Sequence, residues 1–180
     1  GRPEAAETDR AGSTATENDA ASPGEELTVT ELKFPDGSLH RTDETEVDLS
    51  GLEHVEVAET AALLRQMPAL EQIELGTETE ERGLVREDLR RLQEACPGAF
   101  LRYRFLLFDR EISTLDEELD FRHVEMEDEG ESVREILPFM KHCRKLDMDF
   151  CGVSNESMQA IREAFPNVNV IWRIWFADHY

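Results

Sequence analysis

Two stretches of this sequence repeat each other. Val47-Asp48-Leu49 returns as Leu119-Asp120-Phe121, Leu63-Leu64 with Met67 as Ile136-Leu137 with Met140, and Gln72-Ile73-Glu74-Leu75 as Lys145-Leu146-Asp147-Met148. Farther along, Leu89 and Leu92 match Met158 and Ile161, and Ala95-Cys96-Pro97 matches Ala164-Phe165-Pro166. Leu101, Tyr103, Arg104 and Phe105 match Val170, Trp172, Arg173 and Ile174. The spacing between partners stays near about 70 residues, and the longer loop 77–83 absorbs the drift. Apolar class and phase persist together along both stretches, which unrelated segments rarely manage. The chain is therefore expected to build one module twice, over residues 45–112 and 113–180.

Inside each module the apolar spacing switches between period two and period 3.6. Strands are expected at 45–49, 72–75, 101–105, 118–121, 145–148 and 169–174. Helices are expected at 58–67, 85–96, 132–143 and 155–165. Ser154-Asn155 can cap the last helix, while Pro97 and Pro166 forbid continuation past helix ends. Pro138 interrupts the third helical pattern, so a kink or break is expected near Leu137. Strands separated by helices favour parallel pairing through right-handed crossovers, either in a doubly wound sheet or in a solenoid.

With three strands and two helices per module, the finer repeat is about 24 to 28 residues. Leu146-x-Met148-x-x-Cys151-x-Val153 resembles the Leu-x-Leu-x-x-(Asn/Cys)-x-Leu strand and turn of leucine-rich repeats. Met67-Pro68-Ala69-Leu70-Glu71 resembles the lead-in of such repeats, and Leu119-x-Phe121-x-x-Val124-x-Met126 is a looser version. The sequence thus resembles divergent bacterial leucine-rich-repeat proteins over roughly residues 45–176. That resemblance implies an α/β solenoid with one continuous parallel sheet and helices on the convex side. It also implies a non-catalytic protein- or ligand-binding module of a cell-envelope or secreted protein, binding by the open strand face.

In a strand written Leu-x-Leu-x the x positions face the open side. One column is then Asp48, Glu74, Arg102, Asp120, Asp147 and Ile171, and its neighbour is Ser50, Gly76, Arg104, Arg122, Asp149 and Arg173. Arg104 and Arg122 are expected on adjacent strands beside Asp120. Such opposite charges can simply stabilise a sheet, or they can offer a mixed-charge surface on which arginine receives a partner's carboxylates.

Ahead of the modules, residues 27–44 read as a strand-turn-strand cap around Pro35-Asp36-Gly37, and Leu107-Phe108-Asp109-Arg110 occupies the corresponding place before the second module. Residues 1–26 hold no Val, Ile, Leu, Met or aromatic side chain and read as a disordered acidic linker. Gly1 in place of a start Met is what a processed chain would show. The net charge of −22, from 41 acids against 19 bases, excludes a phosphate-binding surface of the nucleic-acid kind. No apolar run reaches the ~20 residues of a membrane helix. No phosphate loop, nucleophile elbow or zinc-protease motif occurs, so neither catalysis nor a cofactor is expected. The five histidines lack ligand spacing, the acids of 125–131 lack the order of a calcium loop, and Cys96, Cys143 and Cys151 read as small apolar residues. The competing readings are a structural spacer and a metal-dependent or hydrolytic domain without a recognisable motif.

Overall fold

The computed structural model describes residues 28–174. The expected linker 1–26 and the end of the second module, 175–180, lie outside the described residues. An antiparallel hairpin comes first, β1 (Glu31–Lys33) and β2 (Leu39–Arg41). Its turn is built as the residues demand: Asp36 accepts from the Ser38 N–H at 2.8 Å and Gly37 adopts φ +84°.

The first module then runs β3 (Glu46–Asp48), α1 (Val57–Leu64), β4 (Gln72–Thr77), α2 (Arg86–Ala95), β5 (Phe100–Leu107) and β6 (Arg110–Ser113). The second runs β7 (Glu118–Asp120), α3 (Glu131–Ile136), β8 (Lys145–Asp147), α4 (Asn155–Ala164) and β9 (Asn169–Ile171). The break foreseen at Leu137 is present, since α3 stops at Ile136 and a 3-10 turn, Leu137–Phe139, carries Pro138. Ser154 caps α4 by accepting from the Ser157 N–H at 3.2 Å.

The strands do not form one continuous parallel sheet, and this overturns the solenoid. They form an antiparallel pair, β1-β2, a mixed four-stranded sheet in the order β3-β4-β5-β6, and a parallel three-stranded sheet, β7-β8-β9. The cause is local. β5 continues past its pairing with β4 and turns at Phe108 and Asp109, both at positive φ (50° and 57°), the conformation of a tight hairpin turn. β6 returns antiparallel along the far edge of β5, Leu107 opposite Arg110 and Phe105 opposite Ile112. Thr114 finishes the edge. Its hydroxyl donates to the Leu101 carbonyl at 2.7 Å and accepts from the Tyr103 N–H at 3.0 Å, and its own N–H reaches the Tyr103 carbonyl at 3.0 Å. A strand edge takes one neighbour, so β7 finds β5 occupied and begins a separate sheet. The β1-β2 hairpin likewise makes its own sheet and does not pair with β3.

Parallel register still aligns equivalent residues within each sheet: Val47, Ile73 and Leu101 in one, Leu119, Leu146 and Val170 in the other. These alternate strand positions are buried and pack with Val57, Ala61, Leu64, Leu89 and Leu92 or with Val133, Ile136, Met158 and Ile161 from the helices. One apolar core runs through both modules, bridged where Phe108 of the β5-β6 turn meets Phe121 edge-on at 5.9 Å. Each sheet thus buries one face under helices and, among the described residues, leaves the other open.

Candidate functional site

The acids of the first expected column have a common structural task. Asp48 accepts from the N–H of Ser50 at 2.9 Å, Glu74 from Gly76 at 2.9 Å, Asp120 from Arg122 at 3.0 Å and Asp147 from Asp149 at 3.2 Å. In each case a carboxylate takes the backbone N–H two residues on; at Asp48, Asp120 and Asp147 this closes the strand with a turn, and at Glu74 it lies at the bulge inside β4. The register places Asp48, Glu74 and Arg102 in one row and Asp120, Asp147 and Ile171 in another, on different sheets. The Arg122 side chain, 2.7 Å from Asp120, and then the Arg122 N–H hold the Asp120 carboxyl well below the usual carboxylate range. The Ser50 hydroxyl and N–H lower the Asp48 carboxyl in the same way.

The second column is not assembled as expected. Arg104 and Arg122 are not on adjacent strands, because β5 neighbours β6 rather than β7. Arg104 instead lies 3.8 Å from Glu111 of β6. A bulge between Glu74 and Gly76 also sets Arg104 opposite Thr77 rather than Gly76. Gly76 sits at φ +66°, and a Cβ there would meet the Ser50 Cβ at 2.8 Å, so no other residue fits. Arg102 pairs with Glu74 at 3.4 Å beside a cavity of about 200 Å³ that also touches Arg104 and Ser113.

The second sheet does assemble its arginines, and adds two residues that strand alternation had passed over. His123, Phe150 and Arg173 follow β7, β8 and β9 and stack in that order. The His123 and Phe150 rings are 4.9 Å apart and nearly parallel at 8°, and the Arg173 guanidinium lies 4.7 Å over the Phe150 ring. Asp149 holds Arg173 by an ion pair to its Nε at 3.0 Å and by accepting from its backbone N–H at 3.2 Å. Arg122 stands between Asp120 and Asp147, 2.7 and 3.8 Å away. Both rings sit on left-handed backbone, φ 61° at His123 and 59° at Phe150. For a side chain as bulky as Phe this costs about 1–2 kcal/mol. Phe150 is nonetheless 40% exposed. The available signal was Asp-x-x followed by a residue in a turn position, which marks His123 and Phe150 as the tips of the two turns.

Other chemistry-bearing groups are absorbed by backbone needs. The buried Arg82 donates to the carbonyls of Leu75 (2.6 Å), Leu52 and Thr77 (2.9 Å each) and Leu49 (3.3 Å). Buried Asp88 accepts from His54 Nδ1 at 2.7 Å and from the Val85 N–H at 2.9 Å, tying down the start of α2. Among the described residues no hydroxyl or thiol bonds the His54 ring. Of the acids at 125–131, Asp128 accepts from the N–H groups of Gly130 and Ser132, and Glu129 from that of Ser154 at 2.9 Å. All three cysteines are buried thiols. Among the described residues no group of three or more His, Cys, Asp or Glu side chains could hold a metal ion, and no helix is long and apolar enough to cross a membrane. Comparison with protein-family models, with curated proteins and with solved structures finds no match.

Proposed function

We propose that this chain is a non-catalytic module that binds a protein partner through the open face of the second sheet, centred on Phe150 and Arg173. The observation that carries the reading is the His123-Phe150-Arg173 ladder. An aromatic ring is kept half out in water, on strained backbone, between a guanidinium and an imidazole. Interface hot spots are rich in aromatic residues and arginine, and strain concentrates where function maintains it. The neighbouring Asp120 and Arg122 give the rim of mixed charge that such contacts use. Asp147 and Asp149 close turns and position the arginines. The first sheet has Gly51 and Thr77 at the places of His123 and Phe150 and is the weaker candidate, with Arg102 and Arg104 already paired to Glu74 and Glu111. A cell-envelope or secreted setting stays part of the proposal, decided by fractionation of the producing cell.

The test uses cross-linking and affinity capture from the native extract, with wild type, Phe150→Gly, Arg104→Glu/Arg122→Glu and Arg104→Glu alone. Glycine accepts φ 59° without strain, so Phe150→Gly keeps the fold while removing the ring. A captured partner is expected to bind Phe150→Gly about 30-fold more weakly, the scale of a hot-spot residue. Arg104→Glu alone is expected to leave binding unchanged, while the double variant weakens it through Arg122. Unchanged affinity in folded Phe150→Gly sinks the proposal, and capture of nothing by wild type favours the structural-spacer reading.

A further inference from the structure

The second sheet ends differently from the first. β9 has β8 on one side and, among the described residues, no strand on the other. The Asn169 N–H reaches the Arg144 carbonyl and the Ile171 carbonyl receives the Met148 N–H, so residues 169 and 171 face β8. Strand groups alternate in direction, and the N–H and C=O of Val170 therefore point away from it. Val170 and Trp172 correspond to Leu101 and Tyr103, of which the Leu101 carbonyl and the Tyr103 N–H and carbonyl are taken by Thr114 behind β6. No described residue does this for Val170 and Trp172. The indole Nε1 of Trp172 is also buried without a partner.

Beside the start of β9 lies an open groove of about 800 Å³, lined by Arg144, Gln159, Arg162, Glu163 and the segment leading into the strand. Arg162 stands 5.9 Å over the Trp172 ring. Among the described residues neither Arg144 nor Arg162 has a carboxylate within ion-pair distance, in a chain with 41 acids and 19 bases. Two exposed arginines outside any ion pair, next to a strand edge that no described residue covers, set the chemistry of the occupant.

We infer that β9 accepts an acidic, extended segment of a partner protein as an added antiparallel strand. Its backbone pairs with Val170 and Trp172 and its carboxylates meet Arg144 and Arg162. Strand addition of this kind takes its affinity from main-chain bonds and its selectivity from side chains. The chain supplies the form of the ligand itself. Residues 109–117, Asp-Arg-Glu-Ile-Ser-Thr-Leu-Asp-Glu, cover the equivalent edge of β5 and carry four acids against one base. This inference does not rest on the Phe150 ladder, which lies just past the strand ends rather than along the β9 edge.

The experiment titrates a fluorescein-labelled synthetic peptide of residues 109–117 into the full chain, read by anisotropy, with amide exchange on the complex. Saturable binding is expected, with new protection at Val170 and Trp172. It should weaken about 10-fold or more in Arg144→Glu/Arg162→Glu and again as salt rises from about 0.05 to about 0.5 M. N-methylation of the peptide's threonine, which blocks its main-chain donor, should abolish it. Phe150→Gly should bind the peptide as wild type does. The inference is overturned by no binding at ~1 mM peptide, by affinity that survives the charge reversal, or by protection at Leu101 and Tyr103 instead, which would mean exchange with the chain's own β6. Loss in Phe150→Gly but not in the arginine variant would move the site to the face and overturn it equally.

Discussion

The two modules meet the same backbone demand with different side chains. The carbonyl closing the first strand belongs to Leu49 in one module and to Phe121 in the other, and both are buried. In the first module the longer loop 77–83 brings Arg82 inward, and its guanidinium serves Leu49 together with three more carbonyls. In the second the turn is shorter and the Cys151 thiol donates to Phe121 at 2.9 Å. The starts of the second helices differ in the same sense. A buried Asp88 with His54 holds α2, while Ser154 and the exposed Glu129 hold α4. The first module thus keeps ionic groups inside its loop layer, and the second uses neutral or exposed groups there. Buried polar backbone must be satisfied, but which side chain does it is open to change. The module that spends no arginine inside has His123, Phe150 and Arg173 outside.

The largest effect should come where the modules are most alike. Ile73 and Leu146 are equivalent and fully buried. Ile73→Ala and Leu146→Ala should each lose about 2–5 kcal/mol. Because the core is continuous, each should keep a single urea transition. Trp172 lies in the second module, so tryptophan fluorescence and far-ultraviolet circular dichroism should still coincide in Ile73→Ala. A separation of the two curves would show that the modules unfold independently.

Next is the element that most separates them. Arg82→Met strands several buried carbonyls and should cost about 3 kcal/mol in the same titration. Arg82→Lys should recover less than half, since an ammonium cannot fork as a guanidinium does. A loss below that of Cys151→Ala would reverse the assignment of the ionic role to the first module.

Cys151→Ala should cost only about 1 kcal/mol. Burial pushes the Cys151 thiol from an ordinary value near 9 to about 11. The folded state therefore keeps a proton that the unfolded chain releases, and the stability this confers is present below pH 9 and lost as pH rises from about 9 to about 11. Chemical unfolding across that range should show a shallower decline in Cys151→Ala than in wild type. Equal slopes would mean that the thiol does not titrate differently on folding.

The three longer helices were legible from the 3.6 period together with Ser154, Pro97 and Pro166, and the interruption of the third followed from Pro138, because these are local properties of the chain. Both hairpin turns were legible too, one from Pro35-Asp36-Gly37 and one from residues 107–110. What was not drawn from the second turn is its consequence: a strand that doubles back consumes the edge that the next module needed. The acids of the strand ends were visible as a column but not as turn closers, since an Asp that bonds the N–H two residues on and an Asp that waits for a ligand have the same spacing. His123 and Phe150 were missed because alternation describes strands, and these residues sit just beyond them.

The sequence by itself determined which residues are apolar in strand and helix phase, and hence the order of elements and the two parallel registers, because burial of periodic side chains is a local pattern read the same way in each module. Only the tertiary structure decided, among the described residues, how many sheets there are and which edge stays open. That outcome turns on single non-local bonds, Thr114 to Leu101 and Tyr103 above all, which no periodicity encodes.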